Sequence, residues 1–177
     1  PASLQVMGRP RYAVLVSAGN LDSMINHYTA SKKPRRQDAY SPGGQTGRRP
    51  DYAAAVYSRL AKQAFPDTPV ILGGVEASMR RFAHYDYWSD SVKPSWLLEG
   101  GADLLVYGMA ELTLREVAEV LAGGGTVADC RRIAGLAYSL PLGAALPQRR
   151  ALEIPSYKQV RTSKRAFARA FQQIDRE

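Results

Sequence analysis

The densest run of chemically capable side chains lies between Phe82 and Asp90. There Phe-Ala-His-Tyr-Asp-Tyr-Trp-Ser-Asp packs an imidazole, two carboxylates, two phenols and an indole into nine residues. An imidazole at His84 can serve as a general acid or base near neutral pH, with Asp86 or Asp90 orienting it or holding a cation. The same string equally suits a lobe of core in which Tyr85, Tyr87 and Trp88 pack together and His84 makes an internal hydrogen bond. His27 is the only other histidine, and nothing in the spacing of the two supports a metal site.

A second candidate is Leu72-Gly-Gly-Val-Glu-Ala-Ser78, where Gly73 and Gly74 let the backbone turn tightly and approach a ligand, with Glu76 close behind. Plain turn chemistry explains two glycines after a strand as well. Neither G-x-G-x-x-G nor G-x-x-x-x-G-K-[ST] occurs, so no dinucleotide or Walker-type phosphate cradle is indicated. Cys130 is the single cysteine, so no disulfide framework and no cysteine-ligated zinc or iron-sulfur site can be built from this chain alone. Arg131 and Arg132 beside it can lower a thiol's pKa, although a lone thiol in such a connection is more often inert. No Ser-His-Asp or Cys-His constellation can be assembled, and no residue of the chain is assigned a catalytic or metal-ligating role.

Residues 29–49 form a long irregular stretch containing Pro34, Pro42, Gly43, Gly44 and Gly47 together with Lys32, Lys33, Arg35, Arg36, Arg48 and Arg49. A loop of this length is either a functional lid or a disordered insert. Tyr28 and Tyr40 interleave with the cations, a composition compatible with nucleic-acid binding and also with an ordinary solvated surface.

The elements that must position these groups alternate. Tyr12–Ala18 reads as a strand buried on both faces, and therefore as a central parallel strand. Asp51–Phe65 reads as an amphipathic helix, with Pro50 and the Asp51 carboxylate favoured at its start. Pro69–Leu72 reads as a second strand, Asp103–Tyr107 as a third, and Leu114, Val117, Ala118 and Leu121 line a helix stopped by Gly123, Gly124 and Gly125. Ile133–Ser139 is a weaker strand, Pro141–Pro155 a linker or edge segment, and Thr162–Ile174 a basic helix with Phe167, Ala170, Phe171 and Ile174 on one face. The pattern predicts an α/β fold with an open parallel sheet, Rossmann- or flavodoxin-like, truncated at both ends. Ligands of such sheets sit beyond the carboxyl ends of the strands, where Gly19–Asp22, Gly73–Glu76 and Gly108–Glu111 fall.

Bulk properties agree. The 177 residues are 45% hydrophobic and 23% charged, enough for one core, and 24 Lys and Arg against 16 Asp and Glu leave a net charge of +8 that favours anionic partners without naming one. No run approaches the roughly 20 apolar residues of a membrane span. The expected setting is a reducing cytoplasm, without membrane association.

Several long strings carry a resemblance. Ser17-Ala-Gly-Asn-Leu-Asp-Ser-Met-Ile-Asn-His-Tyr-Thr29, Asp38-Ala-Tyr-Ser-Pro-Gly-Gly44, Arg48-Arg-Pro-Asp51, the segment from Val70 through Asp90, and Ala102-Asp-Leu-Leu-Val-Tyr-Gly-Met-Ala-Glu111 resemble the YgiQ-type radical-SAM family. The match runs through nearly the whole chain from Gly8 onward. The resemblance implies that residues 1–140 are a Rossmann-like amino-terminal domain, and 141–177 a linker and helix leading to a radical-SAM barrel beyond Glu177. There a Cys-x-x-x-Cys-x-x-Cys motif would hold a [4Fe-4S] cluster that cleaves S-adenosylmethionine. The pattern of Gly73-Gly74 and Gly108-x-x-Glu111 is also similar to cobalamin-binding-type domains, but the part that would carry a cobalamin-ligating histidine is not in this sequence. The expected role is that of an accessory domain docked on its own barrel. Asn20, Asp22, Gly73, Gly74, Glu76, His84, Asp86 and Glu111 would lie at a substrate or cofactor edge, for a substrate left unspecified. The alternative is a basic RNA-binding module acting through loop 29–49.

Overall fold

The apolar runs that precede each glycine turn form strands, and the amphipathic stretches between them form helices. A computed structural model describes residues 2–144 and 151–176. In chain order the elements are α1 (Ala2–Gln5), β1 (Val14–Val16), α2 (Ser23–His27), α3 (Ala53–Ala64), β2 (Val70–Leu72), α4 (Gly74–Met79), β3 (His84–Asp86), β4 (Ser91–Lys93), α5 (Trp96–Glu99), β5 (Leu104–Val106), α6 (Glu111–Ala122), β6 (Leu136–Ala137), α7 (Tyr157–Thr162) and α8 (Lys164–Asp175). Among the described residues, no helix is long and apolar enough to cross a membrane.

The chain divides into two compact units. The first comprises residues 2–81 and 96–139 and is built on a four-stranded sheet in the order β1-β2-β5-β6. β1 and β2 are parallel with Val14, Leu15 and Val16 opposite Val70, Ile71 and Leu72, and β2 and β5 are parallel with Ile71 opposite Leu104. β6 runs antiparallel to β5, so the sheet is mixed rather than wholly parallel. Alternation along the strands divides the core. Val16, Val70, Leu72 and Leu105 face one layer with Ala53, Ala54, Ala61, Ala77 and Trp96, while Ile71, Leu104 and Val106 face the other with Val117, Cys130 and Ile133. Each fully buried Val or Leu contributes about 1.5–3 kcal/mol. Strands only three residues long are therefore held by this packing more than by their ladders.

Three sequence expectations change here. The first strand lies at the sheet edge, not its centre, and Leu15 is 64% exposed. α3 begins at Ala53, after Tyr52 in the left-handed region at φ 53°, and Asp51 does not cap it. Its carboxylate instead bonds His27 and Tyr28. The basic carboxy-terminal helix begins at Lys164 rather than Thr162, because Ser163 is extended (φ −139°, ψ 113°) and caps α8 through the Ala166 N–H, and a separate short helix, α7, ends at Thr162.

The second unit comprises 82–95 together with the described residues from 140 onward. It pairs the antiparallel hairpin β3–β4, with Tyr85 opposite Val92, and the helices α7 and α8. Ser156 and Gln159 form a reciprocal capping box at the start of α7, which fixes where that helix begins.

Candidate functional site

The carboxyl ends of β1, β2 and β5 open onto a cleft of about 140 Å³ whose lining includes Ser17, Leu72, Gly73, Gly74, Val106 and Ala110. Gly74 is required there. Its φ is +84°, and a Cβ would stand 2.5 Å from Ser17 Oγ, so a side chain would be both strained and blocked. The turn brings backbone against backbone at the point where open α/β sheets receive ligands. Asn20, Gly74 and Glu111 are exposed at this edge, Asn20 in the turn after β1 and Glu111 in the first turn of α6, where the helix dipole favours a carboxylate.

Asp22 and Glu76 lie beneath that surface instead. The Asp22 carboxylate caps α2, accepting from the Met24 N–H at 2.9 Å and the Ile25 N–H at 3.3 Å, and is paired with Arg80. Arg80 also donates to the Glu76 carbonyl at 3.3 Å and lies over the Trp96 ring, 4.6 Å from its centre. Glu76 is fully buried. Its Oε1 accepts from the Ser23 hydroxyl at 2.6 Å, while Ser23 Oγ accepts from the Ala53 N–H at 3.1 Å. α3 has no side-chain cap of its own, so Ser23 and Glu76 provide one from across the fold. Burial pushes the Glu76 carboxyl up and the Asp22 charge adds to this, against the lowering effect of the Ser23 hydrogen bond, Arg80 and the Ala54 N–H. Its role is to join α2, α3 and α4 behind the cleft.

Loop 29–49 is organised by a buried carboxylate. Asp38 is fully buried and accepts from the Asn26 amide at 2.5 Å, the Tyr40 N–H at 3.0 Å, the Ser41 hydroxyl at 2.8 Å and Arg49 Nε at 2.9 Å. Burial pushes this carboxyl up, but Arg49 and the three other donors outweigh it and hold it well below the usual carboxylate range. Arg49 Nη1 also donates to the Ala18 carbonyl at 3.1 Å, and its guanidinium lies over Tyr40, whose ring packs against Gly19. Arg35 Nε donates to the Ile25 and Tyr28 carbonyls. The loop thus uses Arg35, Arg48 and Arg49 in internal hydrogen bonds and is tied to the end of β1. Lys33, Arg36 and Arg48 stay exposed.

His84 and Asp86 belong to the second unit. The His84 Nδ1–H donates to the Phe82 carbonyl at 3.2 Å, and the buried Asp86 accepts from the Ser89 N–H at 3.0 Å and from its hydroxyl. These bonds hold the bend between β3 and β4. Cys130 is fully buried, with burial pushing its thiol up, so the neighbouring arginines do not make it a thiolate. Ser23 and Arg80 were not legible as site residues, because their partners Glu76 and Asp22 stand 53 and 58 residues away.

The sequence model of the radical SAM N-terminal family matches residues 1–177. A UPF0313 protein of Clostridium botulinum (strain 657 / Type Ba4) is 48% identical over 165 residues, covering 93% of this chain and 26% of that protein. A UPF0313 protein of Thermotoga maritima is 47% identical over 164 residues, covering 93% of this chain and 28% of that protein. No solved structure matches significantly. The chain spans about a quarter of the length of these relatives, and across its whole matched length it belongs to the radical SAM N-terminal family.

Proposed function

We propose that this chain is the amino-terminal accessory domain of a radical S-adenosylmethionine enzyme. The carboxyl edge of its sheet packs on the remainder of the same polypeptide and lines the entrance to the catalytic barrel. The observation that carries this reading is the set of exposed apolar side chains in the segments that leave β1, β2 and β5. Leu21 is 40% exposed, Ile25 54%, Val75 46%, Met79 64%, Met109 84% and Leu112 65%. Apolar surface concentrated in this way marks an interaction site, and methionine adapts readily to a neighbour's shape. The occupant is the remainder of the protein, since relatives matching 93% of this chain extend to about four times its length. Asn20 and Glu111 supply polar groups at that entrance, while Asp22, Glu76 and Gly74 hold its shape.

The residues of this chain do not fit an iron-sulfur cluster. Among the described residues no group of three His, Cys, Asp or Glu side chains could hold a metal ion, and Cys130 is buried with Sγ turned to the Thr126 carbonyl at 3.5 Å. The [4Fe-4S] cluster and S-adenosylmethionine therefore belong, in this proposal, to the remainder of the polypeptide, in the cytoplasm. Loop 29–49 is a weaker candidate for nucleic acid than its composition implies, with Arg35 and Arg49 engaged internally.

The test is anaerobic iron and sulfide quantitation on the reconstituted full-length protein, wild type and Met109→Asp/Leu112→Asp, together with limited trypsin digestion. Both proteins should retain the same iron, and the doubly charged variant should be cut free of its barrel at least tenfold faster. Absence of iron from the wild type, or equal digestion of both, would overturn the proposal.

A further inference from the structure

The second unit contains a cavity of about 680 Å³ that the proposed function does not use. Tyr85 and Val92 of the hairpin form one wall, Val160 and Phe167 of the helices another, and Arg161 and Lys164 stand at its rim. This is within the roughly 300–1,000 Å³ typical of ligand sites. Asp90 also lines it, but its carboxylate accepts from the Tyr85 hydroxyl at 2.6 Å, which fixes the Tyr85 ring across the hairpin.

Lys158, Arg161, Lys164, Arg165 and Arg169 are all exposed, and among the described residues none has an acidic partner. In the first unit Arg49, Lys62 and Arg80 are each paired with an aspartate, while the exposed Lys33, Arg36 and Arg48 have no carboxylate partner among the described residues. Beyond the cavity the surface continues along α8, where Phe167 and Phe171 alternate with Arg165 and Arg169 around a second hollow. Both pairs are spaced four residues apart, so each pair lies on one side of the helix. Phe171 is 65% exposed.

An apolar protein partner on this face would strand five cations without counter-charges, at a desolvation cost that burying two phenylalanines does not offset. A polyanion with flat apolar faces satisfies both features: phosphates meet the cations, and unstacked bases lie on the rings. A duplex offers the phosphates but keeps its bases stacked inside. We propose that the second unit binds single-stranded nucleic acid, with a base held between Tyr85 and Phe167, a phosphate at Arg161 and Lys164, and the strand continuing along α8 past Phe171.

The experiment is fluorescence anisotropy on the full-length protein with a labelled 15-nucleotide single strand, as oligo(dT) and as oligo(U), beside a duplex of the same length and uridine monophosphate as competitor. Single strands should bind at least tenfold more tightly than the duplex. Each phosphate contact on a single strand contributes about −0.7 to the slope of log affinity against log salt. Arg161→Ala/Lys164→Ala should therefore weaken binding at least tenfold and reduce the slope by about 1.4. Phe167→Leu should weaken binding several-fold with the salt slope unchanged, and Arg165→Ala/Arg169→Ala, on a wholly exposed face, should repeat the loss of slope. The proposal is overturned if the full-length protein binds no single strand, prefers the duplex, binds only the free nucleotide, or loses binding with Lys33→Ala/Arg36→Ala and not with these variants.

Discussion

Glu76 shows how a residue at a ligand-binding edge can serve the fold. Its carboxyl is raised chiefly by burial, while its bond to Ser23 completes the cap of α3. A carboxyl whose folded value lies above its unfolded value, ordinarily about 4.3, contributes stability that is complete below the unfolded value and is lost as pH rises through the folded one. Glu76→Gln retains an acceptor for Ser23 without the charge. It should match the wild type in urea denaturation near pH 4.5 and become the more stable protein as pH rises, whereas Glu76→Ala should cost about 1–3 kcal/mol near pH 4.5 by leaving a buried donor unmet, and less as pH rises. A Gln variant that is less stable than wild type at pH 8 would place the ionised carboxylate, not the acceptor, at the centre of this junction. Pattern reading located Glu76 at the end of β2 correctly in sequence but not its inward direction, because Ser23, its partner, is 53 residues away. The same separation between segments concealed the pair of Asp22 with Arg80.

Among the elements, loop 29–49 is long but ordered, and its order comes from Asp38. The carboxyl is held below its ordinary value against the cost of burial, so the stability it contributes is present above the unfolded value, about 3.9, and is lost as pH falls through the folded one. Asp38→Ala leaves Arg49 without its carboxylate and should lower stability by about 3–5 kcal/mol. Trypsin should then cut after Lys32, Arg35 and Arg36 faster than at any site in α3. Unchanged cleavage would mean that the loop is held by something other than this carboxylate. The strands were readable because unbroken apolar runs such as Val70–Leu72 mark buried parallel strands. That β1 lies at the edge was not readable, since a local apolar run carries no information on strand order, and Leu15 looks like a core residue until its neighbours are known. The short helix α7 was likewise not readable, since the six residues Tyr157–Thr162 are too few to show a helical period.

At the scale of the whole molecule, the first unit buries two cores, and six of its exposed apolar side chains lie in the segments that leave the carboxyl ends of β1, β2 and β5. Resemblance across long strings such as Val70 through Asp90 identified the family from sequence, whereas the direction in which the domain presents itself depends on side-chain exposure that no single string records. The central claim is that this edge is covered by the remainder of the same polypeptide. The most direct measurement is site-specific photo-cross-linking in the full-length protein, with a benzophenone side chain at Met109 in one sample and at Glu119, exposed farther along the same helix, in another. Cross-links from position 109 to residues of the same molecule beyond 177, and none from position 119, are the predicted result. Cross-links from 109 only to a second molecule, or none from either position, would contradict it.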